Sequence, residues 1–371
     1  MLLTITNEPR DYAWGSTSLL AGLEGRAVAA KPEAEVWFGD HPGDPADVAS
    51  GGTLDAITGG ELPYLLKLLA AGAPLSIQVH PTREQAQQGF QRESNMDADD
   101  PTRNYRDANH KPELIVALSD RFEALAGLRP LAQTLTLLAT LADSQGVQAL
   151  RARLGGGDEA EALRQTIAWL LSGEAQAEVD DIIAAVATAE SADFAEELQV
   201  VRTVAERNPG DPGVVVALLM NVVVLRQGEA IFLRAGLLHA YVAGLGVEIM
   251  AASDNVLRGG LTPKHIDVDE LMAIVDTTPG AVPVQPARDG VTVYDVPVDD
   301  FALRRIPVTD ERVVEVTGPA IVLATAGAVT VASDREQVPV RVGAAVFATV
   351  EERVLTLAGT GEVFIAEPGG N

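Results

Sequence analysis

Gln78 and His80 stand two residues apart in the run Leu75-Ser-Ile-Gln-Val-His-Pro81. Read as a β-strand, this run turns Ile77 and Val79 to one face and Ser76, Gln78 and His80 to the other, because successive side chains alternate across a strand. A glutamine and a histidine aimed the same way between apolar neighbours build something polar inside a fold. Two more ligand-type residues stand in similar settings. Glu113 follows His110-Lys111-Pro112 and opens the apolar run Leu114 to Leu118, and His239 ends Phe232-Leu-Arg-Ala-Gly-Leu-Leu-His239. Taken singly, each is more often a core histidine or a strand cap. As a set, Gln78, His80, Glu113 and His239 form a candidate four-ligand site for a divalent cation. They offer one formal negative charge, so a bound ion would stay net positive and could polarise a hydroxyl or carbonyl oxygen. Histidine and carboxylate suit catalytic zinc. Two histidines and a carboxylate also suit the non-haem iron of an oxygenase.

Three other clusters surround this set in sequence. The loop Asn104-Tyr-Arg-Asp-Ala-Asn-His-Lys-Pro-Glu113 ends on a candidate ligand, which brings His110 and Lys111 near the ion. The stretch from Glu248 to His265 mixes Asp254, Arg258 and Lys264 with Gly259 and Gly260. An arginine beside an acid there suits an oxyanion or a sugar hydroxyl, whereas ordinary surface ion pairs are the plainer reading. Trp14 and Trp37, in Tyr12-Ala-Trp-Gly15 and Glu35-Val-Trp-Phe-Gly-Asp-His-Pro42, could stack on a sugar face or simply fill a core. No P-loop, dinucleotide fingerprint or GxSxG elbow is present.

The elements that must position these residues follow from the texture of the chain. Up to residue 128, short apolar runs alternate with Gly, Pro and Asp, which predicts strands and loops. From Leu131 to Arg207 there is no proline, and Leu131, Leu135, Leu138 and Leu141 recur at helical spacing, as do Val179, Ile182, Ile183 and Val186. Gly155-Gly-Gly157 interrupts this helical stretch and Asn208-Pro-Gly-Asp-Pro-Gly213 ends it. Strand texture returns at Val214 and runs to Leu225, and from about 281 the chain is again β-rich. The expected fold is mainly β with a helical insertion. A faint echo links Gly228-x-Ala-x-Phe232 to Gly343-x-Ala-x-Phe347, and in that register His239 falls on Val354.

The 371 residues carry a net charge of −26 and no cysteine, which excludes disulfides, thiolate metal sites and a cysteine nucleophile. Such acidity argues against nucleic acid and anionic membrane as partners, and an anionic substrate would need a local basic pocket. The N-terminus lacks the basic and apolar regions of a signal peptide, and Val214 to Leu225 is too short to span a bilayer, so a cytoplasmic protein is expected. Only Lys31, Lys67, Lys111 and Lys264 stand against 23 arginines. Where arginine is the default cation, a lysine that persists points to a place where the compact ammonium is needed.

In this order, the motifs resemble the type I phosphomannose isomerases of the cupin superfamily. The stretches that carry the resemblance are Tyr12-Ala-Trp-Gly15, Ala34-Glu-Val-Trp37, Pro74 to Pro81, Asn109-His-Lys-Pro-Glu113, Leu238-His-Ala-Tyr241, Asp254 to Lys264 and Pro297-Val-Asp-Asp-Phe301. The resemblance implies a catalytic cupin jelly-roll barrel (1–128 and 213–280), an inserted α-helical domain (129–212) and a second C-terminal jelly-roll barrel (281–371). It makes Gln78, His80, Glu113 and His239 ligands of one zinc ion per chain. Lys67, Ser76, Lys111, Tyr241, Glu248, Asp254, Arg258 and Lys264 would line the pocket. The implied reaction interconverts mannose 6-phosphate and fructose 6-phosphate through a cis-enediol. His110, Lys111, Glu248 and Asp254 remain candidates for the proton carrier, Arg258 would steady developing negative charge, and Lys67 and Lys264 would meet the phosphate. Phe38 and Asp40 depart from the family's smaller or neutral residues at those positions. A monomer acting on a small phosphosugar is expected. A non-catalytic sugar-binding regulator is the remaining alternative.

Overall fold

The computed structural model describes residues 1–370, which form two antiparallel sheets and a group of helices. The ten-stranded sheet carries the candidate site. Its central strand is His239–Ala251, which pairs with Tyr64–Ala71 on one side and Glu113–Ala117 on the other, and near its start with Phe122–Leu128 and Gln78. Outer positions are taken by Glu35–Phe38, Ala230–Leu233 and Leu257–Arg258, among others. Tyr64–Ala71 and Glu113–Ala117 are buried along their whole length, so both faces of this part of the sheet are covered.

Alternation decides what each face holds. Leu66, Leu68, Leu114, Val116, Val247 and Ile249 face the nine-stranded sheet and pack with its Ile321, Phe347 and Phe364. The alternate positions, Lys67, Glu113 and Glu248, point the other way, to the opposite face of the ten-stranded sheet, where they line one cavity. The nine-stranded sheet is built mostly from the C-terminal residues, with Ala320–Ala332 and Val354–Glu367 at its centre. The first strand of the chain, Leu2–Thr6, pairs with Ala345–Ala348 in this same sheet.

The helices leave the first sheet after Phe122–Leu128 and return to it at Met220–Leu225, two strands that pair with each other. Five amphipathic helices, Leu131–Leu138, Gln145–Leu154, Glu159–Leu171, Gln176–Thr188 and Ala195–Arg207, follow the expected periodicity. Ser144 and Asp158 cap two of them by accepting the amides of Val147 and Glu161. The stretch from Val214 departs from its expected strand. Gly213–Leu219 is a helix with every residue buried, and the strand begins only at Met220. Burial on all sides outweighs the weak β-preference of three valines. The Arg129 guanidinium donates to the carbonyls of Leu218 and Met220, satisfying groups at the helix end. The apolar core of the helices extends to Ile77, Val79, Leu238 and Leu257, so they back the strand that carries Gln78 and His80. No helix among the described residues is long and apolar enough to cross a membrane.

Candidate metal centre and active site

The expected strand at Leu75 to Pro81 is short, Gln78–Val79, but its alternation holds. Ile77 and Val79 enter the helical core while Ser76 and Gln78 line an interior cavity of about 50 Å³. Gln78 pairs across the strands with His239 on one side and Arg258 on the other. Its amide donates to Ser76 Oγ at 3.3 Å.

His80, Glu113 and His239 converge, with one potential ligand atom from each lying within 4.8 Å of the others. Glu113 Oε1 is 3.2 Å from His80 Nε2, and Glu113 Oε2 is 3.3 Å from His239 Nε2. Each imidazole is tied from behind. His80 Nδ1–H donates to the Asn255 carbonyl at 2.7 Å and His239 Nδ1–H to the Leu237 carbonyl at 3.0 Å. Those bonds put the proton on Nδ1 and leave each Nε2 lone pair facing the carboxylate. Burial lowers the His80 pKa to about 4, so this ring is neutral near pH 7. A neutral ring offers Glu113 only a lone pair, and His80 Nε2 is buried with no hydrogen-bond partner among the described residues. Two lone pairs and a carboxylate turned on one point are the donor set of a cation, so these residues fit a divalent metal.

Lys111 Nζ lies 3.0 Å from Glu113 Oε1. Burial alone would raise the Glu113 carboxyl, but the Lys111 ammonium holds it well below the usual carboxylate range. His110 does not join this cluster. Its Nε2 lies 2.7 Å from Asp300 Oδ2, and Arg83 completes the group by donating to Asp300 Oδ1. Approaching the strand, Lys111 and Glu113 take the inward positions and His110 is left on the outward one.

Behind the metal residues, Lys67 is buried between Glu248 (3.2 Å) and Glu35 (3.6 Å). Its ammonium is therefore bracketed by two carboxylates and is not free to meet a phosphate. Burial would lower its pKa, but the two carboxylates raise it instead. The Tyr241 hydroxyl donates to Glu248 Oε1 at 2.8 Å. Burial raises the Glu248 carboxyl, with Glu113 and Glu35 adding to the rise and Lys67 opposing it. Trp37 Nε1–H donates to Glu35 Oε2, which makes Trp37 a buried wall. Glu35 is the residue that sequence reasoning missed, although its alternation with Trp37 in Glu35-Val-Trp37 was visible.

The inner cavity shares Ser76, Gln78, Lys67, Lys111 and Glu35 with a wider mouth of about 560 Å³. Arg258, Lys264, Asp254 and Trp14 line that mouth. Burial depresses the pKa of both Arg258 and Lys264, and nearby cations add to it with no carboxylate opposing. Asp254 instead pairs with His41 Nε2 at 3.1 Å. Leu261, also in the mouth, holds a positive φ of 58° that L-residues rarely adopt. The arrangement is a deep metal-ready pocket behind an entrance with two cations, Arg258 and Lys264, that pair with no carboxylate among the described residues.

Residues 2–131 match the family model described as phosphomannose isomerase type I, catalytic domain. The chain is 36% identical to the mannose-6-phosphate isomerase of Salmonella typhimurium over 97% of both chains. It is 31% identical to the human mannose-6-phosphate isomerase over 89% of both. A zinc-bound crystal structure of a mannose 6-phosphate isomerase superposes with a TM-score of 0.88 at 34% identity, covering all of both chains.

Proposed function

Because the chain belongs to the type I phosphomannose isomerase family, we propose that it interconverts mannose 6-phosphate and fructose 6-phosphate, with one zinc ion per chain held by Gln78, His80, Glu113 and His239. One observation carries this reading. Two buried imidazoles, each locked through Nδ1 to a backbone carbonyl, aim Nε2 at a single buried carboxylate. When bound, the zinc would polarise the sugar's carbonyl and hydroxyl oxygens and steady the charge of a cis-enediolate.

The chain's own residues supply the rest. One proton leaves C2 of the aldose and arrives at C1 of the ketose, while a hydroxyl proton passes from O2 to O1. Glu248 is the proposed carrier between the carbons, because burial raises its carboxyl and makes it a better proton acceptor. Tyr241 and Lys67 hold that carboxylate in place. Lys111 and Asp254 stand nearer the mouth and flank the path. Lys264 would take the phosphate dianion, and Arg258, beside Gln78 in register, would steady charge nearer the reacting end. Ser76 fixes the Gln78 amide.

The same reading takes 1–128 with 213–280 as a cupin jelly-roll barrel, 129–212 as an inserted helical domain and 281–371 as a second jelly-roll barrel. A cytoplasmic monomer with no nucleic-acid or membrane partner completes it. The test is a coupled isomerase assay on chelated and zinc-reconstituted protein. Turnover should vanish with the metal and return with zinc, and full activity of metal-free protein would overturn the proposal.

A further inference from the structure

Asn255 is buried completely, and its side chain forms five hydrogen bonds, all to one neighbouring loop. Its Oδ1 accepts the amides of Arg106 (2.7 Å) and Asp107 (3.2 Å). Its Nδ2 donates to the Asp107 carbonyl (2.9 Å), to Asp107 Oδ1 (3.2 Å) and to the Asn109 carbonyl (2.8 Å). Its own backbone carbonyl is the acceptor that orients His80. The loop it grips runs directly into Lys111 and Glu113.

One residue thus stands behind two candidate ligands that lie far apart in sequence. Its backbone sets the ring of His80, and its side chain sets the loop that delivers Glu113. Asp107 reinforces the join by accepting from Ser253 Oγ and from the Asp254 amide. A buried amide with all its donors and acceptors matched permits one arrangement of the two segments, since any shift leaves a polar group unpaired.

We propose that Asn255 is a positioning residue for the metal centre, which locks the 106–109 loop to the carbonyl that orients His80 and so fixes the distance between His80 and Glu113. This rests on the zinc reading given above. Partners behind metal ligands are worth roughly 10- to 100-fold in metal affinity.

The experiment measures the zinc dissociation constant by chelator competition for wild type, Asn255→Ala and Asp107→Asn, with the fold of each metal-free protein checked by circular dichroism. The cobalt-substituted proteins then report ligand geometry through their visible spectra. Asn255→Ala should weaken zinc about 10- to 100-fold, shift the cobalt bands and keep its secondary structure. Asp107→Asn keeps Asn255 and nearly the same volume, and should shift both readouts the same way by less. If Asn255→Ala does not fold, Asp107→Asn alone decides. Unchanged zinc affinity and cobalt spectrum in a folded variant, with only a lower melting temperature, would make Asn255 merely structural and overturn the proposal. Failure of wild type to bind zinc would instead remove the zinc reading and this proposal with it.

Discussion

Two regions of this molecule share a backbone plan and differ in what they bury. Ala230–Leu233 and His239–Ala251 in one sheet correspond in constant register to Ala345–Ala348 and Val354–Glu367 in the other. Matching glycines agree in conformation, with the turn residues Gly228 at φ 80° and Gly343 at 82°, and the strand residues Gly244 at 126° and Gly359 at 112°. The faint echo in the sequence therefore marks a repeated strand–turn–strand unit. At His239, Tyr241 and Glu248 in the first copy, the second has Val354, Thr356 and Val363. His239 is buried, whereas Val354 is 48% exposed. The geometry of the strands is thus not what makes the site. The first copy buries imidazoles, carboxylates and ammonium groups that are tolerable only because each faces a partner, while the second fills its interior with Val, Leu and Ile.

The sharpest way to break the comparison is to move the ligand. Glu113→Gln and His239→Val each remove one member of a buried polar group and strand the others. Breaking such a group costs about 3–5 kcal/mol, so zinc affinity should fall by at least about 100-fold and activity with it. Val354→His should still leave one zinc per chain, because the matching positions around it carry no ligands. Metal content by atomic emission and a coupled assay check this. A second zinc in Val354→His would show that the backbone alone can make the site.

The four lysines sharpen the contrast next. Lys67 and Lys111 are buried against carboxylates of the first region. A planar guanidinium cannot take the place of a compact ammonium there without displacing those carboxylates. Losing a charge-assisted hydrogen bond costs about 1.5–3 kcal/mol, so Lys67→Arg and Lys111→Arg should lower kcat/KM roughly 10- to 100-fold. Lys264→Arg at the open mouth should act mainly on KM and by less, and Lys31→Arg should be silent. Equal kcat/KM in all four variants would show that lysine scarcity carries no information.

How far this was readable beforehand depends on how local each signal is. The metal residues were legible because ligand types alternate with apolar ones in Leu75 to Pro81, and because Glu113 opens an apolar run. The helices were legible from Leu131, Leu135 and Leu138 and from the missing prolines. The helix Gly213–Leu219 was not, since its valines favour a strand and only tertiary burial reverses them. The pairing of Leu2–Thr6 with Ala345–Ala348 leaves no local trace, because it joins segments from opposite ends of the chain. His110 was placed near the ion because its loop ends on Glu113, when alternation sends it to the side opposite Lys111 and Glu113. Asn255 looked like one polar residue among several, and only contacts across the fold reveal its partners.

The matching strand glycines offer a milder test. Gly359 holds a positive φ, and an added Cβ would meet the Ala328 carbonyl oxygen. Gly359→Ala should cost about 1–3 kcal/mol of stability while zinc affinity and kcat stay at wild-type values. Gly244→Ala carries the same backbone strain and would press on Phe122, in the strand paired to the start of His239–Ala251. It should lower stability and weaken zinc as well. Equal zinc loss in both variants would mean that the two copies are coupled more closely than their separate interiors suggest.

The smallest effect concerns the join between the two regions, where Asp300 meets His110 and Arg83. Burial would raise the Asp300 carboxyl, but its hydrogen bonds with His110 and Arg83 hold it below its usual value. The unfolded chain therefore takes up this proton at higher pH than the folded one. The stability Asp300 contributes is full at neutral pH and is lost as the pH falls through the usual carboxylate range toward the lower folded value. Arg83 is half exposed, so solvent screening leaves the contribution at about 0.5 kcal/mol. Asp300→Asn should be less stable than wild type by this amount at pH 7 in urea unfolding, and the gap should close as the pH falls below the usual carboxylate range. Zinc affinity should not change, because His110 faces away from the ligands. A gap that stays constant with pH would assign the loss to packing, and a fall in zinc affinity would show that the join reaches the metal centre through the loop leading to Glu113.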